Sequence, residues 1–303
     1  MKKTVNSLSG GRTSSYMAVH YPADYNVFAV VCIDDPECAP EDPAVLRYAQ
    51  DKLSHSVWEH GEFIATGEDD RTLKAMMELE QVIGREIIWL RGKSYDDVID
   101  DGTKTWLPSW ARRYCTTQMK LIPIFKWWFR ELGEKVDMRI GFRANEFKRM
   151  LDFFNYSDPT NFKYPVSCST MGQRKQRHDT FNWRYCSMPL IQDGITEAMI
   201  KDFWANHRIP ANLFEPERQM VFPAVSNCVG CFHKKPETLA AMAEINRNKM
   251  EWFARQEEKG KGTWLDSKQT YAEIIANRIE IGKEVVLEAI ENYIMCDSGG
   301  CTG

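Results

Sequence analysis

Thr4-Val5-Asn6-Ser7-Leu8-Ser9-Gly10-Gly11-Arg12-Thr13-Ser14 is the stretch on which the fold turns. Thr4 to Leu8 is β-prone, Ser9-Gly10-Gly11 interrupts it, and Ser14 to His20 has helical composition, so the order is strand, turn, helix. Two adjacent glycines at such a joint let the backbone approach a phosphate closely, while the exposed amides of the turn and helix N-terminus donate to its oxygens. Ser9, Thr13 and Ser14 add hydroxyl donors. A plain glycine turn is the competing interpretation; the position at the end of the first strand favours an anion cup.

Downstream, Val27 to Ile33 is a second β-rich run that closes at Asp34-Asp35-Pro36, and Glu41 to Leu53 has helical composition. Asp69 to Ile83 is expected as helix, Glu86 to Leu90 as strand, and Met138 to Phe142 as strand closed by Arg143-Ala144-Asn145-Glu146. A βαβα order implies an α/β fold with a parallel sheet and helices on its faces. Ligands of open parallel sheets sit beyond the carboxyl ends of the strands, where the Gly10, Asp34 and Arg143 neighbourhoods converge. Beyond about residue 225 the character changes to two helical stretches, Pro236 to Glu258 and Ser267 to Met295. The expected division is a nucleotide-binding α/β domain over 1–225 and a helical, cysteine-containing region over 226–303.

The 303 residues are 43% hydrophobic and 27% charged, which suits a compact globular chain rather than a disordered one. A net charge of -4 gives no global attraction to nucleic acid, so such a partner would need a local basic patch. Met1-Lys2-Lys3-Thr4 leads into a strand rather than a signal sequence, and no apolar run is of membrane-spanning length. A cytoplasmic protein with no membrane partner is the expectation; oligomeric state, a homo-oligomer included, is left open. Nine cysteines, an odd number in clustered spacings, fit metal binding better than a disulfide framework.

Ser9-Gly10-Gly11-Arg12-Thr13-Ser14 resembles the SGGxDS signature of the PP-loop ATP pyrophosphatases, in the variant of the phosphoadenosine phosphosulfate (PAPS) reductase branch, with Thr13 in place of the aspartate. Arg113-Tyr114-Cys115-Thr116-Thr117-Gln118-Met119-Lys120, with Pro123 after it, is similar to the branch's Arg-x-Cys…Lys segment. Gly141-Phe142-Arg143-Ala144-Asn145-Glu146-Phe147-Lys148-Arg149 is similar to its G-x-R…E…R segment. The resemblance covers about half the chain. It implies an adenine nucleotide alpha hydrolase-like fold, an enzyme acting with ATP or a related adenine nucleotide and Mg²⁺, and residues 9 to 14 as the phosphate cradle.

Arg113, Lys120, Arg143 and Arg149 are the cations that a polyphosphate needs, since guanidinium forks pair with phosphate oxygens and a lysine supplies a mobile charge. Solvated basic surface, or salt bridges to Glu146, is the bland alternative; Arg143, following a strand, is the strongest candidate. Asp34 or Asp35 is suited to ribose hydroxyls or a metal, and equally to a turn or helix cap.

Cys228-x-x-Cys231 lets two thiolates reach one metal from a single turn, and Cys296 and Cys301 offer a second pair. A zinc or iron–sulfur site is expected, unmetalled thiols being the alternative. In iron–sulfur members of the resembled branch, a Cys-Cys pair in the arginine segment and a later CxxC supply the ligands. This chain keeps Cys115, Cys228 and Cys231, with Thr116 in the pair's second place. The resemblance thus implies a [4Fe-4S] cluster held by three cysteines with one iron open, unless Cys296 or Cys301 closes the site. The branch also uses a thiol in a C-terminal Glu-Cys-Gly segment as nucleophile; Cys301 takes that place without the motif.

Arg174-Lys175-Gln176-Arg177-His178, then Phe181, Trp183, Arg184 and Tyr185, interleave cations and aromatics in a way that could track a nucleic-acid backbone, or fill a loop and a core. Cys32, Cys38, Cys168 and Cys186 read as buried or incidental thiols. The leading functional expectation is adenylation of a substrate with pyrophosphate release, followed by sulfur transfer to a nucleobase. A PAPS or APS reductase, and a non-catalytic nucleotide- or nucleic-acid-binding module with structural zinc, are the alternatives.

Overall fold

The computed structural model describes residues 2–55, 61–100, 102, 105–109, 112–155, 158–167, 176–211, 216–223, 225, 228–260 and 262–277. β1 (Thr4–Leu8) leads into α1 (Arg12–His20), and β2 (Tyr25–Val30) follows, with β3 (Cys32–Ile33) directly after it. α2 (Pro43–Ser54) starts where Asp42 caps the Ala44 amide and Pro43 presets the first turn. β4 (Ala65–Thr66) pairs antiparallel with β3, then come α3 (Asp70–Ile83), β5 (Ile87–Arg91) and α4 (Tyr95–Ile99). α5 (Tyr114–Thr116) passes through a π-helical turn, Thr117–Leu121, into α6 (Ile122–Glu131) and β6 (Val136–Arg139).

α7 (Phe147–Asn155) precedes an antiparallel hairpin of β7 (Asn161–Ser167) and β8 (Gln176–Asn182). β9 (Arg184–Ser187), α8 (Pro189–Gln192), α9 (Glu197–Asn206), α10 (Pro236–Ile245), α11 (Arg247–Gly260) and α12 (Tyr271–Asn277) complete the described elements. The main sheet runs β5-β2-β1-β6-β9, and all four neighbouring pairs are parallel. Val5 pairs with Tyr25 on one side and Met138 on the other, so β1 is central.

Alternation along β2 explains why both faces of the sheet are covered. Phe28 and Val30 join Leu8, Met17, Leu73 and Trp89 in one core, whereas Val27 and Ala29 join Val5, Phe125, Trp128 and Met138 in another. A third core contains Val31, Ile33, Tyr95 and Cys115 together with Leu239, Trp252, Phe253, Trp264 and Tyr271. The helices after residue 228 are therefore packed on the carboxyl end of β2 and share its core. No described helix is long and apolar enough to cross a membrane.

Expected and observed elements differ in instructive places. The Val27 to Ile33 run divides at Val31 because Cys32 and Ile33 turn away to pair with Thr66 and Ala65. β6 begins at Val136, two residues before the expected start, and ends before Gly141. The long helix expected from Pro236 divides at Asn246, whose amide closes α10 on Met242 O while its carbonyl receives the Met250 amide. Of the second C-terminal helix, only Tyr271–Asn277 lies within the described residues.

The cation–aromatic stretch divides: Phe181, Trp183 and Arg184 are packed into or against the core, while Arg177, His178 and Tyr185 are exposed. Phe162, Tyr164, Phe181 and Trp183 ring Phe125 of α6, and buried Arg184 donates to Pro159 O at 2.8 Å. Arg174, Lys175 and Cys168 lie outside the described residues.

Candidate functional site

β1 sits between strands whose connections leave in opposite directions, and this switch point opens beyond the ends of β1 and β6. Gly10 takes φ +78°, a left-handed conformation that glycine adopts without strain. A Cβ there would lie 2.2 Å from Thr72 Cγ2, so the N-terminal turn of α3 closes directly over the glycine. From the other side the β6 loop abuts the cup: a Cβ on Gly141 would stand 3.5 Å from Ser14 Cα.

Hydrogen bonds shape the turn through the Ser9 amide and the Ser14 hydroxyl. The Ser9 amide donates to Ser14 Oγ at 3.1 Å, Ser14 Oγ donates to Gly11 O at 3.2 Å, and the Ser15 amide reaches Gly11 O at 3.1 Å. Among the described residues, the amides of residues 10 to 14 have no acceptor, and Gly11 caps α1 with no side chain. First-turn amides have no intrahelical partner, so these point their donors and the positive end of α1 into the crevice.

The arginines around this cup divide into two kinds. Arg143 is buried; its Nε donates to Glu146 Oε2 at 3.0 Å and its Nη1 stands 3.4 Å from Glu197 Oε2. Arg149 pairs with Glu146 at 2.5 Å and lies over the Phe142 ring. Both are held by carboxylates and tie the β6 loop to α7 and α9. Arg12 is exposed at the cup's rim, over the Phe222 ring, and its carbonyl receives Trp204 Nε1 at 2.9 Å from α9. Surrounding protein, then the nearby charge of Arg71, lower its pKa, with Glu197 opposing.

Asp34 lies at the other flank, beyond β3; its amide donates to Asp96 Oδ2 at 2.8 Å and its carboxylate stands 3.9 Å from Arg91. Asp35 acts as a cap, receiving the Glu37 amide at 2.9 Å, and pairs with Arg255.

Arg113 and Lys120 belong to a second place. The α5–π-turn segment brings both, with Cys115, to a pocket also lined by Cys228, Cys231, Tyr95, Phe232 and His233. Three of the four expected metal-ligating cysteines therefore meet, and Cys296, like Cys301, lies outside the described residues. Tyr95 Oη donates to Cys228 Sγ at 3.4 Å, and burial followed by the thiol charges holds its pKa well above the ordinary value. Lys234 donates to Cys228 O. Burial, with Arg113 and Lys234 adding, pushes His233 down to about 4. Burial pushes the Cys32 and Cys38 thiols up to about 12 and keeps them protonated.

The strip from Gly67 to Thr72 joins the two places. Gly67 accepts from the Val229 amide at 2.8 Å, and Glu68 faces Cys228 across an antiparallel bridge, which puts both side chains on one face. Glu68 Oε1 accepts from Lys120 Nζ at 3.0 Å in a buried pair, while its Oε2 takes no hydrogen bond among the described residues. Four residues later Thr72 covers Gly10. Glu68, Arg71, Tyr95, Glu197 and His233 are the site residues that sequence reasoning missed; the helical run from Asp69 marked the place of Arg71, but as a helix and not as a site.

No protein-family model matches the chain, and no curated protein or solved structure matches it either.

Proposed function

We propose that this protein is a PP-loop-type enzyme, akin to the PAPS reductase branch, that binds ATP or a related adenine nucleotide at residues 9 to 14. In this proposal it adenylates its substrate, releases pyrophosphate, and uses the neighbouring thiols for sulfur transfer, with a nucleobase as the acceptor class. The observation that carries it is the row of amides at residues 10 to 14, which have no internal acceptor among the described residues and sit at the sheet's switch point.

In the reaction, a substrate oxygen attacks the α-phosphorus, the bond to the bridging oxygen breaks, and pyrophosphate leaves. The amides of 10 to 14, with Thr13 and Ser9 hydroxyls, stabilise the charge on the departing oxygens because they are already oriented. A sulfur nucleophile then displaces AMP from the activated carbon. Arg143 and Arg149, each engaged by Glu146, position the β6 loop along the cup. Asp34 is available to ribose hydroxyls.

Mg²⁺ is commonly held by one or two carboxylates, substrate phosphates and water, so it needs no protein cage. Among the described residues no group of three or more His, Cys, Asp or Glu is arranged to hold a metal ion. In this proposal Cys115, Cys228 and Cys231, which line one pocket, would draw together as ligands of an iron–sulfur cluster. Such a cluster would supply a site for binding sulfide.

Anaerobically purified protein should contain iron and release pyrophosphate from ATP when offered nucleic acid. Sulfite production from PAPS or APS would transfer the assignment to a reductase. Nucleotide binding with zinc and no turnover would refute the enzyme altogether.

A further inference from the structure

Glu68-Asp69-Asp70-Arg71-Thr72 opens α3, and its geometry gives Arg71 an unusual address. Asp69 receives the Arg71 amide at 3.0 Å as helix cap and also takes Arg71 Nε at 2.9 Å and Nη2 at 2.5 Å, so the guanidinium is gripped along one edge. Among the described residues, Arg71 Nη1 makes no hydrogen bond. The next residue, Thr72, is the one whose methyl fills the space over Gly10, which fixes Arg71 beside the glycine turn.

Arg12, two residues past Gly10, makes no hydrogen bond or ion pair through its guanidinium among the described residues; it lies over the Phe222 ring, 5.6 Å from the ring centre. Two guanidiniums from different helices thus share the rim of the cup with donors unspent, and the charge of Arg71 bears on Arg12. Arg143 and Arg149 also pair with carboxylates but are more deeply buried, at 4% and 13% side-chain exposure against 34% for Arg71, and so are less open to a ligand. A like-charged pair with spare donors beside a row of amides is the arrangement that an anion with several charged oxygens would neutralise.

We propose that Arg71 and Arg12 form a two-arginine clamp for the terminal pyrophosphate of the bound nucleotide, with Asp69 orienting Arg71 for that contact. This assignment rests on the nucleotide-binding function proposed above and adds to it the residue that distinguishes a polyphosphate from a monophosphate. Asp69, by holding one edge of the fork, lowers the entropy lost when the other edge engages phosphate.

Titration calorimetry of the full-length protein with inorganic pyrophosphate and, separately, AMP tests it. R71Q should weaken pyrophosphate binding about tenfold or more, the loss of one charge-assisted contact, and R12Q should do likewise. AMP affinity should stay within about twofold, because the clamp lies beyond the α-phosphate. R71K retains the charge beside Asp69 and should melt as the wild type does while losing part of the pyrophosphate affinity. Equal pyrophosphate affinity in R71Q and wild type, with R12Q weakened, would overturn the clamp alone. If wild-type protein bound neither pyrophosphate nor AMP, the nucleotide-binding function would fall, and the clamp with it.

Discussion

Substituting Gly10 with alanine is the perturbation whose cost follows most directly from the structure. The residue's φ of +78° costs an L-amino acid on the order of 1–2 kcal/mol. The added Cβ would also stand 2.2 Å from Thr72 Cγ2, and Thr72 is buried at 4% exposure with α3 behind it. Overpacking of that kind costs roughly 1–3 kcal/mol, so G10A should destabilise the fold by about 2–5 kcal/mol. Urea unfolding measures this directly. G10A/T72S removes the methyl in the way and should recover the steric part while leaving the dihedral part, so the double-mutant cycle separates the two. Pyrophosphate binding should fall in G10A and return in part in the double variant. Stability within about 0.5 kcal/mol of wild type, with no rescue by T72S, would refute the packing of α3 over the turn.

K120M leaves Glu68 buried and unpaired, so it should cost about 3–5 kcal/mol in urea unfolding, and K120M/E68Q should recover much of it. His20 and His207 both have pKa values lowered from 6.5, by burial first and, for His20, by the charge of His207. Their neutral forms are favoured in the fold, so the stability they give is complete above pH 6.5 and is lost as pH falls through the lowered values. H207N should flatten that acid limb in a melting series; an unchanged limb would exclude the pair as its source. In G230A a Cβ would meet the Phe253 ring at 2.4 Å, so a loss of roughly 1–3 kcal/mol is expected, and a neutral result would contradict the packing of the CxxC turn on α11.

The parallel sheet was legible because its signals are local. Thr4 to Leu8 before two glycines, and the helical runs Glu41 to Leu53 and Asp69 to Ile83, each carry their meaning in a short stretch. The cysteines were legible too, since Cys228 and Cys231 need only one turn to converge, and Cys115 joins them through the packing of the π-helical turn. What the sequence hid was pairing at long range. Arg143 presented itself as a phosphate ligand, yet Glu197, 54 positions later by residue number, arrives on α9 to occupy it. Lys120 suggested a polyphosphate contact, but Glu68 on the β4–α3 connection draws it to the thiols. Arg71 sat within an ordinary charged helix start, and only the closure of Thr72 over Gly10 gives it a place at the cup.

The amide resonances of residues 10 to 14 provide the most direct test of the central claim. In a titration of isotope-labelled protein with ATP or pyrophosphate, followed by two-dimensional ¹H–¹⁵N correlation spectra, Gly10, Gly11, Arg12, Thr13 and Ser14 should shift together and downfield as their N–H groups take phosphate oxygens as acceptors. Saturable binding that moves amides elsewhere and leaves these five in place would contradict it.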